Sequence, residues 1–182
     1  MTNSLAWDFY TTDGDIVISD VVFIKKILTA EEKAFEILAN EDSYHAQAHG
    51  APDDMTVEDG VITISVTTSN DTGRGFAIKP ATIVALHELG FDSISFTITA
   101  PSPYINIYHD CGTYTALSGG TLEGGEYSYA SGETVTINIK ALAEADGWTT
   151  SGYGVYFVLT NSLAWDFYTT DGDIVISNVV FA

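Results

Sequence analysis

Four stretches of this chain alternate apolar and polar residues with period two. In "VITISVTT", Ile62, Ile64 and Val66 alternate with Thr63, Ser65 and Thr67. In "DSISFTITA", Ile94, Phe96 and Ile98 alternate with Ser93, Ser95, Thr97 and Thr99. "ETVTINIK" repeats the pattern with Val135, Ile137 and Ile139, and "GVYFVLT" sets Val155, Phe157 and Leu159 on one face. Successive strand residues point to opposite faces, so each stretch makes a strand with one greasy and one polar side. Antiparallel sheets covered on one side only are built from such strands.

Helical signals are fewer. "KPATIVALHELG" opens with Pro80, whose ring suits a first helical turn, and ends at Gly90, a good C-cap. Its inward stripe is Ile83, Leu86 and Leu89. "TAEEKAFEILAN" sets Thr29 and Glu32 at capping-box spacing, which predicts a short helix passing into a strand at Phe35 to Leu38. "IKALAEADG" fits one or two turns ending at Gly147. Many short strands with two or three short helices predict an all-β chain, an antiparallel β-sandwich of jelly-roll-like form.

The chain also repeats itself. "TNSLAWDFYTTDGDIVIS" runs from Thr2 to Ser19 and returns, letter for letter, from Thr160 to Ser177. The match extends over Thr2–Phe23 and Thr160–Phe181 with one difference, Asp20 against Asn178. Two origins fit: a natural tandem array with a period near 158 residues, or a deliberate duplication. A single Asp/Asn exchange looks like drift and favours the array. The segment is predicted to be a β-hairpin. Leu163, Trp165 and Phe167 share one face, Asp171-Gly172 supplies the turn, and Ile174 and Ile176 begin the return strand. After Ser177 the alternation slips, which predicts a bulge or a strand buried on both faces. The division expected is residues 1–24 as a first hairpin copy and residues 25–182 as the sandwich, the second copy lying at 160–181. A lone hairpin is marginal in water, so the first copy is expected to dock through Leu5, Trp7, Phe9, Ile16 and Ile18. Docking on its own domain and strand exchange with a neighbour both satisfy this. Head-to-tail exchange would give a homo-oligomer or a filament.

The order of elements from about Phe35 to Phe181 resembles the jelly-roll carbohydrate-binding modules of bacterial glycanases and surface proteins. The resemblance is carried by "TVEDGVITISV", by the strand–helix–strand "GFAIKPATIVALHELGFDSISFTIT" and by the closing "DGDIVISNVVF". It implies a non-catalytic, extracellular or cell-surface module with a glycan-binding or adhesive role.

Charge narrows the partners. The 182 residues hold 25 acidic and 6 basic side chains, a net charge of −19. Such a chain repels nucleic acid and anionic membrane surfaces, and its ligand is expected to be neutral or cationic. No apolar run is long enough for a membrane span. No secretion signal follows Met1, so a secreted form is expected to be a fragment of a longer precursor. Cys111 is the one cysteine, which rules out an intrachain disulfide.

"PYINIYHD" is the leading candidate for a sugar platform. Tyr104, Asn106, Tyr108 and Asp110 alternate with Ile105 and Ile107 and are expected to face outward. Aromatic faces stack on pyranose rings, and amides and carboxylates take hydroxyls. Tyr127 and Tyr129 in "GEYSYASG" and Trp148 in "DGWTTSGYG" extend the set. The competing reading is that these tyrosines pack on the second sheet or under the helix. Asp53, Asp54, Asp171 and Asp173 are weak Ca²⁺ candidates, with solvated turn carboxylates as the competing reading. His45 and His49 lack an acidic partner at zinc-site spacing. No nucleophile elbow, phosphate loop or HExxH is present, and Glu31/Glu32 and Glu58/Asp59 are ordinary pairs in so acidic a chain. An enzyme is therefore not expected. "SGGTLEGGE" is expected to be a mobile loop.

Overall fold

A strand with one apolar face must hide that face against something, and here two sheets hide theirs against each other. The computed structural model describes residues 27–45, 51–67, 75–109, 117–118, 121–123, 126–145, 154–163 and 166–182. One six-stranded sheet runs β1 (Tyr44–His45), β4 (Gly75–Ile78), β11 (Val155–Thr160), β6 (Tyr104–His109), β9 (Glu126–Ala130) and β8 (Thr121–Glu123). The second runs β2 (Ala51–Glu58), β3 (Val61–Thr67), β12 (Gly172–Phe181), β5 (Ser93–Thr99), β10 (Thr134–Asn138) and β7 (Leu117–Ser118). Every pairing among the described residues is antiparallel. The chain is an all-β sandwich, as the alternation predicts.

The inner face of the second sheet is the predicted one. Ile62, Ile64, Val66, Ile94, Phe96, Ile98, Val135, Ile137, Ile174 and Ile176 are buried. From the other sheet Phe157 stacks on Phe76 with ring centroids 4.6 Å apart, and it also meets Phe96 of β5 at 6.0 Å. That trio ties the sheets together.

The helices follow their caps. In α1 (Ala30–Leu38) the Thr29 side chain accepts from the Glu32 N–H, and the Glu32 carboxylate accepts from the Thr29 N–H. The helix continues through Phe35 to Leu38, where a strand was expected. Ala34 and Leu38 both bury while Glu36 between them is exposed; a strand would put all three on one face, whereas a helix turns Glu36 away from the pair. Pro80 opens α2 (Pro80–Glu88), and Gly90 at φ +97° follows its end. Ile83 and Leu86 are buried and Leu89 is half-buried. α3 (Ile139–Ala143) is one short turn-and-a-bit, started by the Asn138 side chain accepting from Ala141 N–H. The glycine-rich stretch expected to be a loop contributes β8 and leads into β9, so its loop portion is shorter than its composition suggests.

Tyr44 links α1 to the first sheet. Its ring meets Phe76 edge-on, and its hydroxyl donates to the Leu38 carbonyl at 2.7 Å. Burial pushes its phenol well above the ordinary value. A phenol held protonated in the fold but free to ionise when unfolded contributes stability that is complete below about pH 10 and is lost as pH rises beyond it. Denaturation midpoints are therefore expected to fall above pH 10, and less steeply in Tyr44→Phe. Equal slopes in the two proteins would contradict this.

Among its described residues, the second copy of the duplicated segment does not pair its two halves as a hairpin. β11 and β12 belong to different sheets, and residues 161–171 carry the chain from one to the other. The chain reverses just after β11: the Asn161 N–H donates to the Asp166 carbonyl at 2.7 Å, the Tyr168 N–H to the Leu159 carbonyl at 3.0 Å, and Phe167 bridges Thr160. Neither Asp171 nor Gly172 takes a left-handed backbone; Asp59 and Gly60, at φ +49° and +80°, do, and they turn the β2–β3 hairpin. The reason lies in the neighbours. β12 is already flanked by β3 and β5, so neither of its edges is open to the segment that precedes it. The predicted bulge is present. Ser177 pairs with Thr97 and Val180 with Ser95, so three steps on β12 oppose two on β5. The extra residue is accommodated at Asn178, φ +52°. Before it the even positions Ile174 and Ile176 point inward; after it Val179 and Phe181 are half-buried while Val180 is exposed.

Candidate functional site

Strand β6 carries the predicted sugar platform, and the structure places it between β11 and β9, near the middle of the first sheet. Residues directly opposite across an antiparallel pair share a face. Ile105 opposes Leu159 and Tyr129, and Ile107 opposes Phe157, so these form the inner face. Tyr129 is fully buried there, which corrects its place in the platform: it is a core residue. Asn106 opposes Val158 and Ser128 on the other face. That face is also closed. All six residues of β11 are buried, and Asn106 is 1% exposed.

Asn106 is thus corrected from an outward contact to the centre of a buried polar cluster. Its Oδ1 accepts from Ser128 Oγ at 2.6 Å and from Thr160 Oγ1 at 3.3 Å. Ser128 Oγ also lies 3.3 Å from the Leu163 carbonyl, which puts part of the 161–167 connection over the cluster. An amide oxygen with two lone pairs satisfied in this way has a structural use that the sequence pattern does not distinguish from a binding use.

Tyr104, at the start of β6, is partly exposed and is the described residue of the platform that a ligand can reach. Tyr108 opposes Tyr156, and Tyr127 opposes Ile107 and Leu122, through their backbones. The side chains of Tyr108 and Tyr127, and Asp110 and Trp148 altogether, lie outside the described residues. So do Leu5, Trp7, Phe9, Ile16 and Ile18.

The carboxylates are spread along the second sheet. Asp54 and Asp173 both oppose Ser65, one from each side. Asp173 accepts from Ser65 Oγ at 2.7 Å and Asp54 from the Met55 N–H at 2.9 Å. Asp171 is exposed, and the side chain of Asp53 is outside the described residues. Among the described residues no group of three or more His, Cys, Asp or Glu stands close enough to hold a metal, and no helix is long and apolar enough to cross a membrane.

One feature escaped the sequence. A groove of about 610 Å³ opens where the end of β12 meets the start of α1. Val179, Val180 and Phe181 form one wall, Leu28 and Phe35 the other, and Glu31 and Glu36 line it as well. Val180 is 58% exposed there. The slipped alternation after Ser177 was its only legible trace. No protein-family description matches the chain, and neither the curated proteins nor the solved structures contain a match.

Proposed function

We propose that the chain is a non-catalytic structural module, one unit of an extracellular or cell-surface tandem-repeat protein. One observation carries the reading. The segment duplicated ahead of the domain, Thr2–Phe23, reproduces the inter-sheet connection and the whole of β12, a strand hydrogen-bonded on both sides inside its sheet. A unit of this kind cannot lose β12 and keep its second sheet continuous, so the extra copy belongs to the preceding unit of an array. The net charge of −19 suits an exposed array that must stay soluble and apart from polyanions. In repeat arrays stability is close to a sum of unit and neighbour terms. A chain of two periods, residues 1–182 followed by residues 25–182, should therefore scatter X-rays as two linked bodies and melt no lower than the single unit. A two-period chain that folds as one unit with an unfolded remainder would sink the array.

Glycan binding is the second reading, supported by the accessible Tyr104 and the resemblance in element order. Tyr104→Ala should weaken retention on a neutral-glycan array while leaving the melting temperature within a degree or two. Unchanged retention, or none by either protein, would remove it.

A further inference from the structure

The slot that β12 fills lies between β3 and β5, and everything that defines it is matched by residues 14–23. Ile174 and Ile176, the two buried side chains, correspond to Ile16 and Ile18. Asp173, which accepts from Ser65, corresponds to Asp15. Gly172 sits where an added Cβ would lie 2.7 Å from the Pro101 ring, and the first copy has Gly14 there. The bulge residue Asn178, at φ +52°, corresponds to Asp20. Asn and Asp are the side chains that tolerate this left-handed backbone best after glycine. The Asn178 amide donates to Thr97 Oγ1 at 3.2 Å; with a carboxylate in its place the Thr97 hydroxyl donates instead. The one difference between the copies therefore falls at a position where both residues fit.

Chain direction and reach also agree. β12 ends at Phe181 in the wall of the same groove that Leu28 lines. A strand entering the slot as residues 14–23 would leave it at Phe23, with Leu28 five residues on. Five residues of extended chain reach roughly 17 Å, and Phe181 and Leu28 line one and the same groove. In that arrangement the link would bring Lys25 and Lys26, two of the chain's six basic residues, toward Glu31 and Glu36. Its charge is complementary to the groove.

We propose that the slot between β3 and β5 accepts residues 14–23 of the same chain, entering from the N-terminal side, in place of residues 172–181. The inference deepens the array reading, on which it rests. Each unit's last inner strand can be supplied from either of its ends, and the strand between two adjoining units serves either one.

The test uses the full chain. Asp at an inner position of whichever strand occupies the slot places a charge in the core. Ile176→Asp should leave a monomer with a cooperative melting transition, because residues 14–23 take the slot. Ile18→Asp should melt like the parent. The double variant should lose the transition altogether. If Ile176→Asp alone is as unfolded as the double variant, the slot does not accept the first copy. If Ile176→Asp is folded only as a dimer or larger assembly by light scattering, the within-chain route is wrong. Either failure leaves the two-period scattering result untouched, so the substitution can fail while the array stands.

Discussion

Phe157→Ala is expected to lower the unfolding free energy by about 3–5 kcal/mol, the range found when a buried aromatic side chain is truncated in a core. Phe157 has no exposed surface and lies nearly parallel to Phe76, at an interplanar angle of 7°. A second ring partner, Phe96, comes from the opposite sheet. Truncation therefore empties a site that touches both layers, and a β-sandwich has little freedom to collapse around such a void because both sheets are fixed by their hydrogen-bond ladders. The check is urea denaturation with the slope unchanged and the midpoint moved down. Phe157→Leu should recover part of the loss. A change below about 1 kcal/mol would mean that the sheets are held together elsewhere and that this trio does not clamp them. Phe91 and Phe181, whose rings lie 5.1 Å apart at the half-buried edge of the sandwich, provide the contrast: either truncation should cost less.

The faces that look inward were legible because alternation reports them directly. Ile62, Ile64 and Val66 on β3 and Ile94, Phe96 and Ile98 on β5 could be assigned from their spacing, as could the bulge after Ser177. The caps of α1 and α2 were equally local. What failed was long-range in origin. An Asp-Gly dipeptide favours a tight turn, but Asp171-Gly172 became a hairpin turn only in expectation, because β3 and β5 occupy both edges of β12. Asp59-Gly60 joins β3 to the edge strand β2, which pairs with it directly, and made the turn. Asn106 and Tyr129 were misplaced for a related reason. A polar residue alternating with apolar ones tells which way a side chain points and says nothing about what covers it. Asn106, Ser128 and Thr160 look the same in sequence whether they meet water or one another. The groove beside β12 joins Leu28 to Phe181, and the slipped alternation after Ser177 marks one wall without saying what faces it.

Asn106 separates a structural role from a binding one most sharply, and its replacement is the second large effect expected. Asn106→Ala removes the Oδ1 that accepts from Ser128 Oγ and Thr160 Oγ1. Both hydroxyls remain buried, at 2% and 0% exposure for their residues. A buried donor left unsatisfied costs about 1–3 kcal/mol. Ser128 retains the Leu163 carbonyl as a second acceptor, so the loss falls mainly on Thr160. The expected cost is therefore about 2–3 kcal/mol, set by one stranded hydroxyl and the small void of the missing amide. Asn106→Ala combined with Thr160→Val should cost less than the sum of the two single changes, because the valine removes the donor that the alanine strands. Retention on a neutral-glycan array should be the same for Asn106→Ala as for the parent at a temperature where both are folded. An Asn106→Ala protein of parental stability that no longer binds sugar would place this side chain at an open surface and reverse the assignment.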